Sequence, residues 1–97
     1  MILLNADNTT LSSLIASFSS PLVLSFGQSN NADFKALNVC YTNKGIQASI
    51  YFKDEHLGDI SSKLIGKHNL ENILAASATC LTQGVPFSDI QKGIRCF

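Results

Sequence analysis

Charged residues are scarce in this 97-residue chain, at 14% of the sequence, against about a quarter in an average soluble domain. Seven basic and seven acidic residues cancel, so the chain lacks the excess of positive charge that nucleic-acid binding requires. Hydrophobic residues make up 45% of the chain. This composition gives nucleic-acid binding little support and indicates a surface that is partly covered by other protein.

Long apolar runs and closely spaced cysteines are also missing. No run is long enough to span a membrane, and residues 1–4 lack the charged start and the length of a signal peptide. Cys40, Cys80 and Cys96 are too scattered for a zinc site or a disulfide framework. Cys80 falls on an alanine-rich helical pattern and is expected to be a small core residue. These absences predict a reduced, cytoplasmic protein without a membrane contact.

The first third of the chain has the pattern of a βαβ unit. Short apolar runs at 2–4 and 22–26 predict two strands, and apolar residues at helical spacing over 11–18 predict a helix between them. The polar loop at 5–10 follows the first strand, where ligands gather in parallel sheets. The alternative is that this loop only caps the next helix.

The middle of the chain predicts a small antiparallel sheet. Residues 34–41 and 46–52 alternate between apolar and polar or small side chains around a turn at 42–45, which is typical of a hairpin with one covered face. A charged turn at 53–56, whose histidine is expected to be solvated, leads to a third strand at about 59–65.

The last third predicts two helices. The first runs from about residue 69 to 83 and is closed by Gly84, with Pro86 two residues further on. The second opens at Phe87, where Ser88 and Gln91 have the spacing of a capping box. Five residues of the first helix share an apolar face: Leu70, Ile73, Leu74, Ala78 and Leu81. The fold class is therefore α/β.

A polar cluster at the start of the first of these helices is the candidate site. His68, Asn69 and Asn72 lie in its first turn, and residues three apart in a helix are neighbours. Each amide offers one acceptor and two donors, which suits a flat heterocycle with both kinds of group on its edge. The alternative is that these asparagines only cap the helix.

The extended pattern around this cluster resembles the Mur ligases, ATP-dependent enzymes that add amino acids to the peptidoglycan precursor. The pattern is Gly-Lys-His-Asn-x-x-Asn-x-x-Ala-Ala over residues 66–76. Three further segments are similar to family segments in the same order: Asn-Ala-Asp-Asn at 5–8, with Asn8 in place of the family's second Asp, Ser-Phe-Gly at 25–27, and Ala-Asp-Phe-Lys-Ala at 32–36. The resemblance covers nearly the whole chain.

The resemblance implies that residues 1–97 are a single partial domain, the C-terminal part of the family's central ATP-binding domain. This would be a βαβ unit followed by a small antiparallel sheet and two C-terminal helices. His68, Asn69 and Asn72 would then border the adenine of ATP. None of the six glycines forms a Gly-x-x-x-x-Gly-Lys-Ser/Thr phosphate loop, since Gly66-Lys67 is followed by His68. The phosphate and Mg²⁺ ligands would lie outside this chain, and no catalytic or metal-binding residue is assigned within it.

The resemblance further implies a parent enzyme that uses ATP and Mg²⁺ to join an amino acid to a UDP-N-acetylmuramoyl-peptide through an acyl phosphate. The tripeptide synthetase is the first expectation, and the D-alanyl-D-alanine-adding ligase is the alternative within the family. The segment alone is expected to be inactive and to self-associate, because an incomplete sheet has an open edge. Two other readings are a stand-alone interaction module with this fold and a generic α/β domain.

Overall fold

The computed structural model describes residues 2–7 and 23–96. The helix predicted over 11–18 and the loop positions 8–10 lie outside the described residues. Within them, five strands form one sheet in chain order: β1 (Ile2–Asn5), β2 (Val23–Gly27), β3 (Phe34–Thr42), β4 (Gly45–Phe52) and β5 (Glu55–Ser62). Two helices follow, α1 (Lys67–Thr82) and α2 (Phe87–Cys96).

The sheet is parallel at one end and antiparallel at the other. β1 pairs with β2, and β2 with β3, in parallel, whereas β3, β4 and β5 pair antiparallel. The predicted α/β class, with a small antiparallel sheet and two C-terminal helices, is confirmed. None of the helices in the described ranges is long and apolar enough to cross a membrane.

The core lies between α1 and the face of the sheet that the alternation in β4 predicted. Ile46, Ala48 and Ile50 are buried on that face, as is Ile60 of β5. α1 contributes a buried stripe consisting of Leu70, Ile73, Leu74, Ser77 and Ala78. Four of the five residues predicted for this face are buried, and the fifth, Leu81, is half-buried. The 3.6-residue period therefore identified the packing face correctly.

The boundaries of β5 differ from the prediction. The charged segment at 53–56 is not a four-residue turn: only Lys53 and Asp54 turn, both with positive φ (49° and 69°), and Phe52 pairs directly with Glu55. Two left-handed residues match the right-handed twist of a hairpin. β5 therefore begins at Glu55 and ends at Ser62, rather than running over 59–65. His56 is solvent-exposed, as expected, although it lies in the strand.

The alternation in β3 is interrupted by a bulge. Asn38 has a φ of 54°, and the pairing with β4 shifts between Leu37 and Cys40. The buried residues of β3 are consequently at its start, Phe34–Ala36, while Tyr41 is 44% exposed. Cys80 was also placed wrongly in the core. It is exposed, because it lies off the buried stripe of α1.

The prediction for the end of α1 is confirmed, whereas the prediction for the start of α2 is wrong. Gly84 closes α1 as predicted: its N–H donates to the Leu81 carbonyl, and the Val85 N–H donates to the Cys80 carbonyl, each at 3.1 Å. This pair of bonds is a Schellman motif. The capping box predicted for α2 is wrong. The side-chain amide of Gln91 instead donates to the Asp59 carbonyl at 2.7 Å and ties α2 to β5.

Replacing Gly84 with alanine should lower the free energy of unfolding by about 1 kcal/mol. Gly84 has a φ of 88°, and an added Cβ would meet nothing within 4 Å, so the cost is conformational alone. Gly93→Ala is the matched control, since Gly93 lies inside α2 and also has open space around it. That change should stabilise by about 0.5–1 kcal/mol. Urea denaturation measures the free energy of unfolding of both variants. Equal changes of the same sign would contradict the role of Gly84 as the left-handed residue that closes α1.

Candidate functional site

The first turn of α1 begins at a glycine rather than at one of the asparagines. Gly66 is the N-cap residue, with a φ of 92° and no side-chain cap. Asn69 lies three residues into the helix, and its side-chain amide donates to the carbonyl of Ile65 at 2.8 Å. Asn69 therefore secures the chain where it enters α1, and one of its two amide protons is already engaged.

His68 and Asn72 lie one turn apart on α1, and both are exposed. The side chain of His68 is 90% exposed, and its Nδ1 lies 4.0 Å from a carboxylate oxygen of Glu71. The side chain of Asn72 has no hydrogen bond to any described residue. Of the three predicted site residues, Asn72 thus presents an amide without a partner among the described residues, His68 is exposed beside Glu71, and Asn69 is half-buried and bonded.

Asn72 also borders an apolar groove of about 450 Å³ between α1 and α2. Volumes of this order are typical of small-ligand pockets. The groove begins beside Leu64 and is floored by Ser77 and Ile90, with Cys80 and Ile94 further along. His68 and Asn69 do not line it. The structure therefore separates the predicted cluster: one asparagine lies on the groove, and its neighbours lie outside it.

Asp7 joins the carboxyl ends of β1 and β2. Its carboxylate accepts hydrogen bonds from the backbone N–H groups of Gln28, at 2.9 and 3.0 Å, and of Ser29, at 2.9 Å. The Asp7 N–H in turn donates to Oδ1 of Asn5 at 2.9 Å. The Asn-Ala-Asp segment is therefore a brace for the loop after β2. Its partner lies 21 residues away, so no local pattern in the sequence signals this role.

Asp33 performs a similar task at the start of β3. Its carboxylate accepts the N–H of Ser25 at 3.0 Å, while the Asp33 N–H donates to the Ser25 hydroxyl at 2.9 Å. Ser25 is 1% exposed, so its polar groups need these partners. Two of the segments that carried the family resemblance thus hold adjacent strand ends in place.

The donor set suits a heterocycle better than a metal ion. Free amide and imidazole groups at the start of α1 can donate to or accept from the edge of a base. Across residues 2–7 and 23–96, no group of three or more His, Cys, Asp or Glu side chains is placed to hold a metal ion. The carboxylate of Asp7, the one acid at the end of β1, is occupied by backbone N–H groups.

A mixed sheet with braced parallel strand ends and a polar helix start defines an α/β domain. The Mur ligase middle domain matches residues 1–80, and the chain belongs to this family. The UDP-N-acetylmuramate–L-alanine ligase of Prochlorococcus marinus (strain MIT 9313) is 38% identical over 66 residues, 68% of this chain and 14% of the relative. The UDP-N-acetylmuramoyl-L-alanyl-D-glutamate–2,6-diaminopimelate ligase of Halalkalibacterium halodurans is 36% identical over 91 residues, 94% of this chain and 18% of the relative.

Solved structures support the same fold. A crystal structure of MurF from Acinetobacter baumannii superposes with a TM-score of 0.76 at 21% identity, over 95% of this chain and 20% of that one. The UDP-N-acetylmuramate–alanine ligase MurC from Thermotoga maritima gives a TM-score of 0.79 at 16% identity, over 100% of this chain and 21% of that one. The chain spans only 14% and 18% of the length of the two ligases from Prochlorococcus marinus and Halalkalibacterium halodurans.

Replacing Asp7 with alanine should lower the free energy of unfolding by about 2 kcal/mol, because two backbone N–H groups lose a charged acceptor. Asp7→Asn keeps one acceptor oxygen, so its free energy of unfolding should fall by less than that of Asp7→Ala. Glu55→Ala is the control, since Glu55 is exposed and its carboxylate has no partner in the described ranges. Chemical denaturation measures all three, and an Asp7→Ala variant as stable as Glu55→Ala would disprove the brace.

Proposed function

We propose that this chain is part of an ATP-dependent ligase that joins an amino acid to a UDP-N-acetylmuramoyl-peptide, and that it contributes part of the adenine site. Membership of the Mur ligase middle-domain family supports the activity. The observation that carries the adenine assignment is Asn72, an amide without a partner among the described residues, on the border of an apolar groove. A base has apolar faces, which the groove can cover, and a polar edge, which the Asn72 amide can hydrogen-bond.

The three predicted residues divide the work within this proposal. Asn72 hydrogen-bonds the edge of the adenine, because its donors and acceptor are unengaged. Asn69 acts mainly by holding the entry to α1 through the Ile65 carbonyl, and its Oδ1 remains available as an acceptor. His68 borders the site from the solvent side, where its imidazole is 90% exposed. All three bind or orient, and none takes part in bond formation.

The phosphoryl chemistry lies outside these residues. ATP supplies the phosphoryl group that activates a carboxylate, and Mg²⁺ supports its phosphates. The 97 residues contain no phosphate loop, and the described residues do not fit a metal site. Each neutral hydrogen bond to the base adds only about 0.5–1.5 kcal/mol. We therefore propose that the chain alone has no ligase activity. As a separate proposal, the parent enzyme works in the cytoplasm.

Members of the family add different amino acids, and this chain is similar to more than one of them. Relatives named for L-alanine and for 2,6-diaminopimelate are similarly identical to this chain, at 38% and 36%. This is expected if the middle domain handles the nucleotide, which all of them share. The tripeptide synthetase remains our first proposal, with the D-alanyl-D-alanine-adding ligase as the alternative. A stand-alone interaction module would keep the fold without any ATP requirement.

A chimera tests the ligase proposal and the role of Asn72 together. This chain replaces the aligned segment of the Halalkalibacterium halodurans ligase, and amide formation is measured with varied ATP. The chimera should form product, and Asn72→Ala should raise the KM for ATP about two- to tenfold, equivalent to one lost hydrogen bond. Asn43→Ala, in the exposed β3–β4 turn, should leave the KM unchanged.

Two results would count against these proposals separately. A chimera that melts cooperatively but forms no product would contradict the ligase assignment and favour the interaction module. An active chimera whose KM for ATP is unaffected by Asn72→Ala would retain the ligase assignment and remove Asn72 from the adenine site.

We also propose that the 97-residue chain self-associates. Within the described part of the chain β1 pairs only with β2, so one edge of this strand is open to another strand. Ile65, 59% exposed, adds apolar surface beside the start of α1. Analytical ultracentrifugation should show association that increases with concentration, and a monodisperse monomer would contradict it.

A further inference from the structure

A second cleft lies on the other side of α2 from the apolar groove. It measures about 360 Å³, and none of the described residues that line it also lines the groove. The alternation of β4 explains its character. Ile46, Ala48 and Ile50 point into the core, so Gln47 and Ser49 point to the opposite face. The cleft is formed where that outer face of the sheet meets the side of α2 that carries Gln91 and Arg95.

Polar groups without partners line this cleft. The side chains of Asn38, Gln47, Ser49 and Ser61 have no hydrogen bond within the described residues. Asn38 is held outward by the β3 bulge, where its φ is 54°. The wall next to α2 is fixed, because the Gln91 amide donates to the Asp59 carbonyl at 2.7 Å. The cleft therefore combines a fixed frame with several unengaged donors and acceptors.

The cleft carries one charge of each sign. Arg95 and Asp59 are the only charged residues among the described residues that line it, and they form no ion pair with each other. Arg95 is the only arginine of the chain and has no carboxylate partner in the ranges described. The only ionisable group paired with Asp59 there is His56, whose Nε2 lies 3.3 Å from Oδ1. A cation and an anion thus face one cleft without neutralising each other directly.

We propose that this cleft binds a small zwitterion of the α-amino-acid class. The guanidinium of Arg95 would take the carboxylate, since its paired N–H donors match two carboxylate oxygens. Asp59 would take the ammonium group, and the amides and hydroxyls would contact the rest of the ligand. A simple anion would be opposed by Asp59, and a simple cation by Arg95. This cleft shares no described lining residue with the groove that Asn72 borders, so binding here can be tested separately from the adenine site.

NMR titration of the ¹⁵N-labelled 97-residue chain tests this site with three matched probes. L-alanine carries both charges, propionate lacks the ammonium group, and ethylammonium lacks the carboxylate. L-alanine should shift the backbone amides of Ser61 and Gln91 in a saturable way, with a dissociation constant of about 30 mM, because two exposed ion pairs contribute about 2 kcal/mol together. Propionate and ethylammonium should bind at least about fivefold more weakly.

Variants at the cleft separate this site from general ionic effects. Arg95→Gln and Asp59→Asn should each weaken L-alanine binding about fivefold. Lys92→Gln is the matched control, because Lys92 is an exposed cation on α2 that does not line the cleft. The affinity of this variant for L-alanine should be unchanged. The proposal is overturned if L-alanine causes no saturable shift, if propionate binds as tightly as L-alanine, or if Lys92→Gln weakens binding as much as Arg95→Gln.

Discussion

Burial of the apolar stripe of α1 against the sheet is the interaction on which the rest of this structure depends. Leu70 and Leu74 are almost completely buried against the face that carries Ile46 and Ile50. Each such side chain contributes about 1.5–3 kcal/mol through removal of its apolar surface from water. Because the stripe fixes the rotation of the helix, it also decides which side chains face outward. Asn72 faces the groove and His68 faces solvent as a consequence of where Leu70 must go.

The sequence predicts best those features whose cause is local and periodic. The stripe on α1 and the alternation in β4 each repeat over many residues, so a single exception does not hide the pattern. Gly84 was predictable for a different reason: a left-handed residue after a helix is strongly selective for glycine. The turn at Lys53–Asp54 was not, because both residues adopt positive φ without glycine or asparagine. The buried amine of Lys35, paired with Asp54, helps to hold that unusual turn.

The candidate site was only partly predictable for a similar reason. Composition and spacing placed three polar residues in the first turn of α1. The structure places His68 and Asn69 in that turn and Asn72 one turn after His68. Which of them stays available for a ligand depends on where the helix starts. Since Gly66 is the N-cap, the Asn69 amide reaches back to the Ile65 carbonyl and only one of the two asparagines is left unengaged. The brace made by Asp7 could not be predicted, because its partners come from a loop 21 residues further along the chain.

The placement of α2 shapes both the apolar groove and the polar cleft. Ile90 and Ile94 face the apolar groove, whereas Gln91 and Arg95 face the polar cleft, so this ten-residue helix separates the two. It can lie this close to β5 because Gly58 has no side chain: an added Cβ would lie 2.9 Å from the Gln91 amide nitrogen and 3.0 Å from the ring of Phe87. Gly58 also has a φ of 149°, which L side chains rarely adopt. A side chain at this one position would crowd the Phe87 ring and the Gln91 amide, which lines the polar cleft, so Gly58 permits the close approach of α2 to β5.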